Sequence, residues 1–270
     1  MRLHLIDGTF ELFRAHYSKR PPYTDARGQD LKATRGLAES LLALLRDPAE
    51  KVSHVAVAFD NPIRSFRNDL FAGYKSDEGM DPALRAQFDS AEEAVRLLGV
   101  TVWSMREFEA DDALATGAFR FRDQVEQVRI LTPDKDLGQC LQGERVVQVD
   151  VIRKRVIDEQ ALLSRRGIRP ESVPDWLALT GDTADGIPGL TGFGEKSATA
   201  LLAEFVHLEQ IPRDARKWPT GVRGRERLAE TLRASLEDAL LYRKLATLRT
   251  DVPLKEDLDD LRWRGVPPRG

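Results

Sequence analysis

Nine carboxylates stand out by position: Asp7, Asp60, Glu109, Asp111, Asp112, Asp134, Asp136, Asp182 and Asp185. Each of the first few follows a short apolar run. The last two lie three residues apart, a spacing that puts both on one helix face. If such side chains converge, they repel one another and take up protons unless a cation neutralises them. They offer oxygen only, with no histidine or thiolate near them in sequence, which suits Mg²⁺ or Mn²⁺ rather than zinc. Two such ions about 4 Å apart clamp the attacking and leaving oxygens of a phosphodiester. Directly after Asp185 comes a glycine-rich turn, Gly186 to Gly194, and a helix is expected from Glu195. Free N–H groups at a helix start receive anions, so a cation site and a phosphate site lie side by side. Ordinary structure competes with this reading: Asp182 and Asp185 in a solvated acidic turn, and Glu109 to Asp112 as first-turn complements to a helix dipole, worth about 0.3–1 kcal/mol each.

A second feature is Tyr74-Lys75, which ends a basic and aromatic stretch with Phe66, Arg67 and Phe71. An aromatic beside a lysine can stack a base and meet a phosphate. Other chemistries are weakly represented. The four histidines (His4, His16, His54, His207) fall in no motif, and no P-loop, kinase or dinucleotide signature is present. The single cysteine, Cys140, excludes an internal disulfide and is expected in an apolar helix as core packing. A phosphatase of the haloacid dehalogenase type wants Asp-x-Asp after the first strand, and Thr9 stands where the second aspartate belongs. The formal net charge of −3 by itself argues against a partner of nucleic acid. With the nine carboxylates committed to a metal site, however, the rest of the chain carries +6, and local potential steers a polyanion. Residues 212–227 concentrate Arg213, Arg216, Lys217, Arg223, Arg225 and Arg227. No apolar run approaches the roughly 20 residues of a membrane span, and the N-terminus reaches Asp7 too soon for a signal peptide. A cytoplasmic, nucleoid-associated protein is expected.

The elements that must position these residues read as alternating strands and helices. Strands are expected at 3–6, 52–59, 100–103, 125–131, 145–149 and 153–157. Helices are expected at 31–45, at 82–98 with Pro82 in its first turn, at 109–121, at 170–180, at 195–205 and as one long helix over 226–248. Alternation over the first 150 residues implies a parallel sheet, and ligands collect beyond the carboxyl ends of its strands. Asp7, Asp60, the Glu109 cluster and the Asp134 cluster all follow strands, so they are expected to meet at one edge.

Taken jointly, the blocks Leu5-Ile6-Asp7-Gly8, Ala58-Phe59-Asp60, Ser65-Phe66-Arg67, Gly73-Tyr74-Lys75, Glu109-Ala110-Asp111-Asp112, Leu131-Thr132-Pro133-Asp134-Lys135-Asp136-Leu137, Thr180 to Gly189 and Gly192 to Lys196 resemble the bacterial 5′-nuclease, or flap endonuclease, family. That family comprises the 5′→3′ exonuclease domain of DNA polymerase I and its stand-alone relatives. The tail from Glu237 to Pro253 also matches, so the likeness extends to about residue 255. The resemblance implies an α/β, PIN-like parallel-sheet nuclease domain over 1–165, with a helical arch or clamp near 74–98. A helix-three-turn-helix DNA-binding region over 166–260 completes the same compact fold. It implies two metal sites, the first around Asp7, Glu109, Asp111 and Asp134, the second around Asp136, Asp182 and Asp185, with Asp60 and Asp112 in the same acidic set. Tyr74 and Lys75 become catalytic residues at the arch base. DNA contacts are implied at Arg14, Arg67, Tyr74, Lys75, Gly189, Gly192, Gly194, Lys196 and Ser197, with K⁺ at the turn. The implied activity is 5′→3′ exonuclease and flap cleavage on flapped, nicked or gapped duplex or an RNA primer–DNA hybrid. The chain is expected to act as a monomer in transient contact with a DNA polymerase or ligase. A non-catalytic junction-binding relative is the alternative. Two departures stand out: Ser76-Asp77-Glu78 where many members carry an arginine, and Thr9-Phe10-Glu11 where small polar residues are common.

Overall fold

The computed structural model describes residues 1–268. Strands β1 (Arg2–Asp7), β2 (Val52–Asp60), β3 (Thr101–Met105), β4 (Gln127–Leu131), β5 (Val146–Asp150) and β6 (Arg155–Ile157) form one sheet in the order β3-β2-β1-β4-β5-β6. All pairs are parallel except β5 with β6. The order reverses at β1, which lies between β2 and β4. That reversal opens the crevice where ligands of such sheets bind.

Side chains alternate across the strands, and both faces are apolar because both are covered. On one face Leu3, Leu5, Ala56, Ala58, Val128 and Ile130 pack with α6 (Ala110–Phe121). On the other, Ile6, Val55, Val57 and Phe59 pack with α1 (Gly8–His16), α2 (Lys32–Arg46) and α5 (Phe88–Leu97). After the short α3 (Arg67–Leu70), α4 (Pro82–Arg85) precedes α5. A third core unites α8 (Val173–Thr180), α9 (Glu195–Phe205), α10 (Arg225–Ala234) and α11 (Leu236–Ala246), with α7 (Glu159–Arg166) at its border. The chain then returns to the sheet domain: Leu248, Val252, Leu254 and Leu261 join the α6 core, and Trp263 N–H donates to the Ser53 carbonyl (3.1 Å).

Three expected helices differ. The helix expected over 82–98 is broken into α4 and α5. Gln87 at the break is fully buried, and its Oε1 accepts the Ala33 and Thr34 N–H groups (2.9 and 3.1 Å). It thereby supplies the cap that Leu31 cannot give α2. α5 therefore packs down on α2 and α4 against α1, within the core of that face, and Ser76–Asp81 links Lys75 to α4. The helix expected over 226–248 breaks at Ser235 (φ −117°, ψ 31°) into α10 and α11. Cys140 ends a 3₁₀ turn, Lys135–Cys140, instead of lying in an α-helix.

Candidate active site

The carboxylates reach the sheet's carboxyl edge by four separate routes. Asp7 ends β1 and caps α1, its Oδ1 accepting the Phe10 N–H (2.8 Å) and its Oδ2 the Thr132 hydroxyl (3.0 Å). Gly8 follows because any side chain there would strike Phe59 and Val57, with a Cβ only 2.6–2.7 Å from each. Asp60 ends β2 and accepts the Ala110 N–H (2.7 Å), which ties it to the start of α6. Asp134 follows β4 and caps the 3₁₀ turn through the Asp136 N–H (2.9 Å). Gln148 of β5 holds that loop by donating to the carbonyls of Thr132 and Asp134. Asp182 and Asp185 lie just beyond α8, in a turn that the reciprocal Asp182–Ile187 backbone pair closes (both 2.8 Å). They share a turn and not a helix face, because α8 stops at Thr180.

Two clusters result. Burial pushes the Asp7 carboxyl up to about 7, helped by the charges of Asp60 and Asp134. Burial also drives Asp111 well above the usual carboxylate range, with Asp7, Asp134 and Asp60 adding repulsion. Asp60 is raised by burial too. In the second cluster Asp136, Asp182 and Asp185 bring oxygens within 4.8 Å of one another. Asp136 is raised well above its ordinary value by burial and by Asp134 and Asp185, and its Oδ1 is buried without a hydrogen-bond partner. A buried orphan oxygen in an all-oxygen donor set fits a hard divalent cation, so this second cluster suits a metal of the kind expected from the sequence.

Lys75 joins the clusters. Its Nζ lies 2.9 Å from Glu109 Oε2 and 2.9 Å from Asp185 Oδ1. Although burial disfavours its charge, Glu109 and Asp185 hold it well above the usual lysine value. The backbone fixes this bridge, since the Lys75 N–H donates to the Asp185 carbonyl (3.0 Å). Such an approach requires glycine at 186: φ there is +73°, and a Cβ would stand 2.1 Å from the Gly73 carbonyl oxygen. Sequence reasoning singled out neither Gly186 as the seat of Lys75 nor Lys135, whose Nζ bonds Asp182 and lies 3.7 Å from Asp136 Oδ1. Only their flanking aspartates could have signalled them.

Five expected roles are corrected, that of Glu109 as a ligand of the first metal among them. Asp112 is fully buried and is no metal ligand here, since Arg67 holds both of its oxygens (2.7 Å each) and the Glu109 and Arg249 N–H groups bond it too. Arg67 is no DNA contact: it is 0% exposed, and its remaining donors go to the carbonyls of Leu245 (2.7 Å) and Thr247 (3.0 Å). The Tyr74 ring is buried in the helical core, so it cannot stack a base; its hydroxyl donates to Glu109 Oε2 (3.1 Å). Arg14 pairs with Glu11 and lines a groove on the sheet's flank, to which none of the nine acidic residues contributes. Glu109 spends both oxygens on protein partners, taking the Ser65 hydroxyl on Oε1 (2.6 Å) and Tyr74 and Lys75 on Oε2. Burial would raise its carboxyl, but the charges of Lys75 and Arg67 outweigh that and hold it at about 2.

Beside the clusters, the turn between α8 and α9 exposes Gly192, Gly194 and Lys196. Gly189 (φ +71°) and Gly192 (φ +87°) are both left-handed, and a Cβ at Gly189 would meet the Gly181 nitrogen at 2.4 Å. The Ser197 hydroxyl accepts the Gly194 N–H (3.0 Å), leaving the next N–H groups of α9 without helical partners. The guanidinium of Arg227 lies 3.6 Å from where a Cβ on Gly192 would stand, so α10 brings a cation to the same turn.

Comparisons with known proteins agree with this fold. Residues 2–167 match the family model described as 5′-3′ exonuclease, N-terminal resolvase-like domain, and residues 168–269 match 5′-3′ exonuclease, C-terminal SAM fold. A 5′-3′ exonuclease of Aquifex aeolicus is 30% identical, over 96% of this chain and 86% of that protein. DNA polymerase I of Bacillus caldotenax is 33% identical over 98% of this chain, which spans 30% of the polymerase's length. Among solved structures, the bacteriophage T5 flap endonuclease in a product complex with DNA and metal ions aligns with a TM-score of 0.70 at 19% identity, over 91% of this chain and 89% of that one. Human GEN1 in complex with Holliday junction DNA aligns at 0.64 and 14% identity, over 98% and 64%. Two family models end to end, and a relative matched over most of both chains, make this chain a member of the 5′–3′ exonuclease family.

Proposed function

We propose that the chain is a structure-specific 5′-nuclease that hydrolyses DNA phosphodiesters, trimming duplex from the 5′ end and cutting 5′ flaps, with two Mg²⁺ or Mn²⁺ ions. The observation that supports it most is the pair of carboxylate clusters joined through Lys75 at the crevice of the sheet. Asp7, Asp60, Asp111 and Asp134 would hold one ion, and Asp136, Asp182 and Asp185 the other. When bound, such ions activate a water and neutralise charge on the phosphate under attack. The chain's own groups do the rest. Lys75 is 25% exposed at the junction of the clusters, where its ammonium can turn to a non-bridging oxygen of the scissile phosphate. Glu109 keeps Lys75 charged and aimed until then. The exposed α9 N-terminus, Lys196 and Arg227 would receive phosphates of the duplex, and a K⁺ ion bound by the turn's carbonyls belongs to the same reading. Likeness to DNA polymerase I supports primer and flap removal in replication and repair, with transfer of the nick to a polymerase or ligase.

The test is cleavage of a 5′-labelled flap duplex. We expect products only with Mg²⁺ or Mn²⁺ present, and none above background from Asp134→Ala or Asp111→Ala, both of which should retain flap binding in Ca²⁺. Cleavage by either variant within about tenfold of wild type would overturn the reading.

A further inference from the structure

The second carboxylate cluster already contains a cation of its own. Lys135 opens the 3₁₀ turn, and its ammonium bonds Asp182 and lies 3.7 Å from the orphan Oδ1 of Asp136. It therefore faces two of the three carboxylates whose oxygens approach within 4.8 Å of one another. Its backbone cannot drift, because the side chain of Asp134 binds the Asp136 N–H and Gln148 holds the Asp134 carbonyl. Its side chain can move, being 30% exposed on a flexible stem. Lys75 bridges the two clusters, from Asp185 of this one to Glu109 at the border of the first (2.9 Å each), whereas none of Asp7, Asp60 and Asp111 forms an ion pair among the described residues.

We propose that Lys135 is the resident counter-cation of Asp182 in the second cluster, where Lys75 already pairs with Asp185, and that it competes with the second divalent ion for Asp182. An ammonium and a divalent ion cannot share one carboxylate pocket at contact distance without strong repulsion. Binding there thus requires Lys135 to swing out to solvent, whereas the first cluster accepts its ion with no such exchange. Two consequences follow. The sites fill in order, the Asp7–Asp111 cluster first. The second ion is retained firmly only when a substrate phosphate adds negative charge beside it, so DNA-free protein stays mostly in the one-ion state. This inference rests on the two-ion reading above.

The experiment is calorimetric titration of the DNA-free protein with Mn²⁺, with thermal shift in the same titration as a second readout. Wild type is expected to show one tight and one weak class of site. Lys135→Met, which keeps the stem and removes the charge, should tighten the weak class at least tenfold and leave the tight class within about twofold. Lys135→Gln should do the same, which guards against a packing defect in one variant. Asp182→Asn in either background should remove the affected class, tying it to this cluster. An unchanged weak class in both Lys135 variants, or one that weakens further, overturns the proposal while leaving two-ion binding intact. A wild type that binds no second ion, even with a cleavage-resistant flap present, overturns the two-ion reading itself and this inference with it.

Discussion

Arg67 allows a prediction that separates structural from DNA-contact roles. Its guanidinium is fully buried and makes two 2.7 Å bonds to Asp112, bonds to the carbonyls of Leu245 and Thr247, and lies 3.2 Å from Glu109. It joins the start of α6 to the end of α11, elements that the chain separates by well over a hundred residues. Truncation to alanine leaves Asp112 as a buried, uncompensated charge, a change that costs about 3–5 kcal/mol. The two carbonyls lose partners as well, at about 1–3 kcal/mol for each group left unsatisfied. Some of this overlaps, since water can enter the vacated volume. We expect Arg67→Ala to lose about 4 kcal/mol in urea unfolding and about 10 °C in Tm. The double variant Arg67→Met, Asp112→Leu removes the stranded charge and should recover more than half of that loss. Duplex affinity of the folded fraction, measured in Ca²⁺ against salt, should keep its slope, whereas loss of a phosphate contact reduces the slope by about 0.9. A stability loss under about 1 kcal/mol, or a slope shallower by nearly one unit, would refute the structural assignment.

Two further predictions follow from the same geometry. Gly186→Ala should cost about 2 kcal/mol or more, because its Cβ would sit 2.1 Å from the Gly73 oxygen at a positive φ, and it should slow single-turnover flap cleavage by more than tenfold by unseating Lys75; a rate within threefold of wild type would separate the two positions. Burial raises the Asp7 carboxyl from 3.8 to about 7, so its own contribution to the stability of the metal-free protein is fully present below about pH 4 and is lost as pH rises through 7; saturating Mg²⁺ should offset that loss and release protons at pH 7, measured by calorimetry in buffers of different ionisation enthalpy, and proton-neutral binding at pH 7 would contradict the shift.

The period of the sequence alone determines much of this protein. Apolar runs ending in Asp7 and Asp60 could only be buried strands, and their alternation with helices dictates a parallel sheet whose carboxyl edge gathers the acids. Oxygen-only chemistry likewise follows from residue type, since packed carboxylates need a hard cation wherever they meet. Which carboxylates remain free for a cation was decided by tertiary structure. Glu109, Asp111 and Asp112 are near-identical as sequence, yet one faces Lys75, one faces the other site aspartates, and one is consumed by Arg67. Arg67 and Tyr74 read as surface groups for nucleic acid because charge and aromaticity are legible locally, whereas burial depends on α11 and the helical core packing over them. Gln87 shows the same dependence, ending one helix so that it can cap another more than fifty residues earlier. The bridges of Lys75 to Asp185 and Lys135 to Asp182 join segments about 110 and 47 residues apart. No local pattern encodes such pairings; the first exists because a glycine at 186 lets two backbones touch, and the second because the turn after β4 meets the turn after α8.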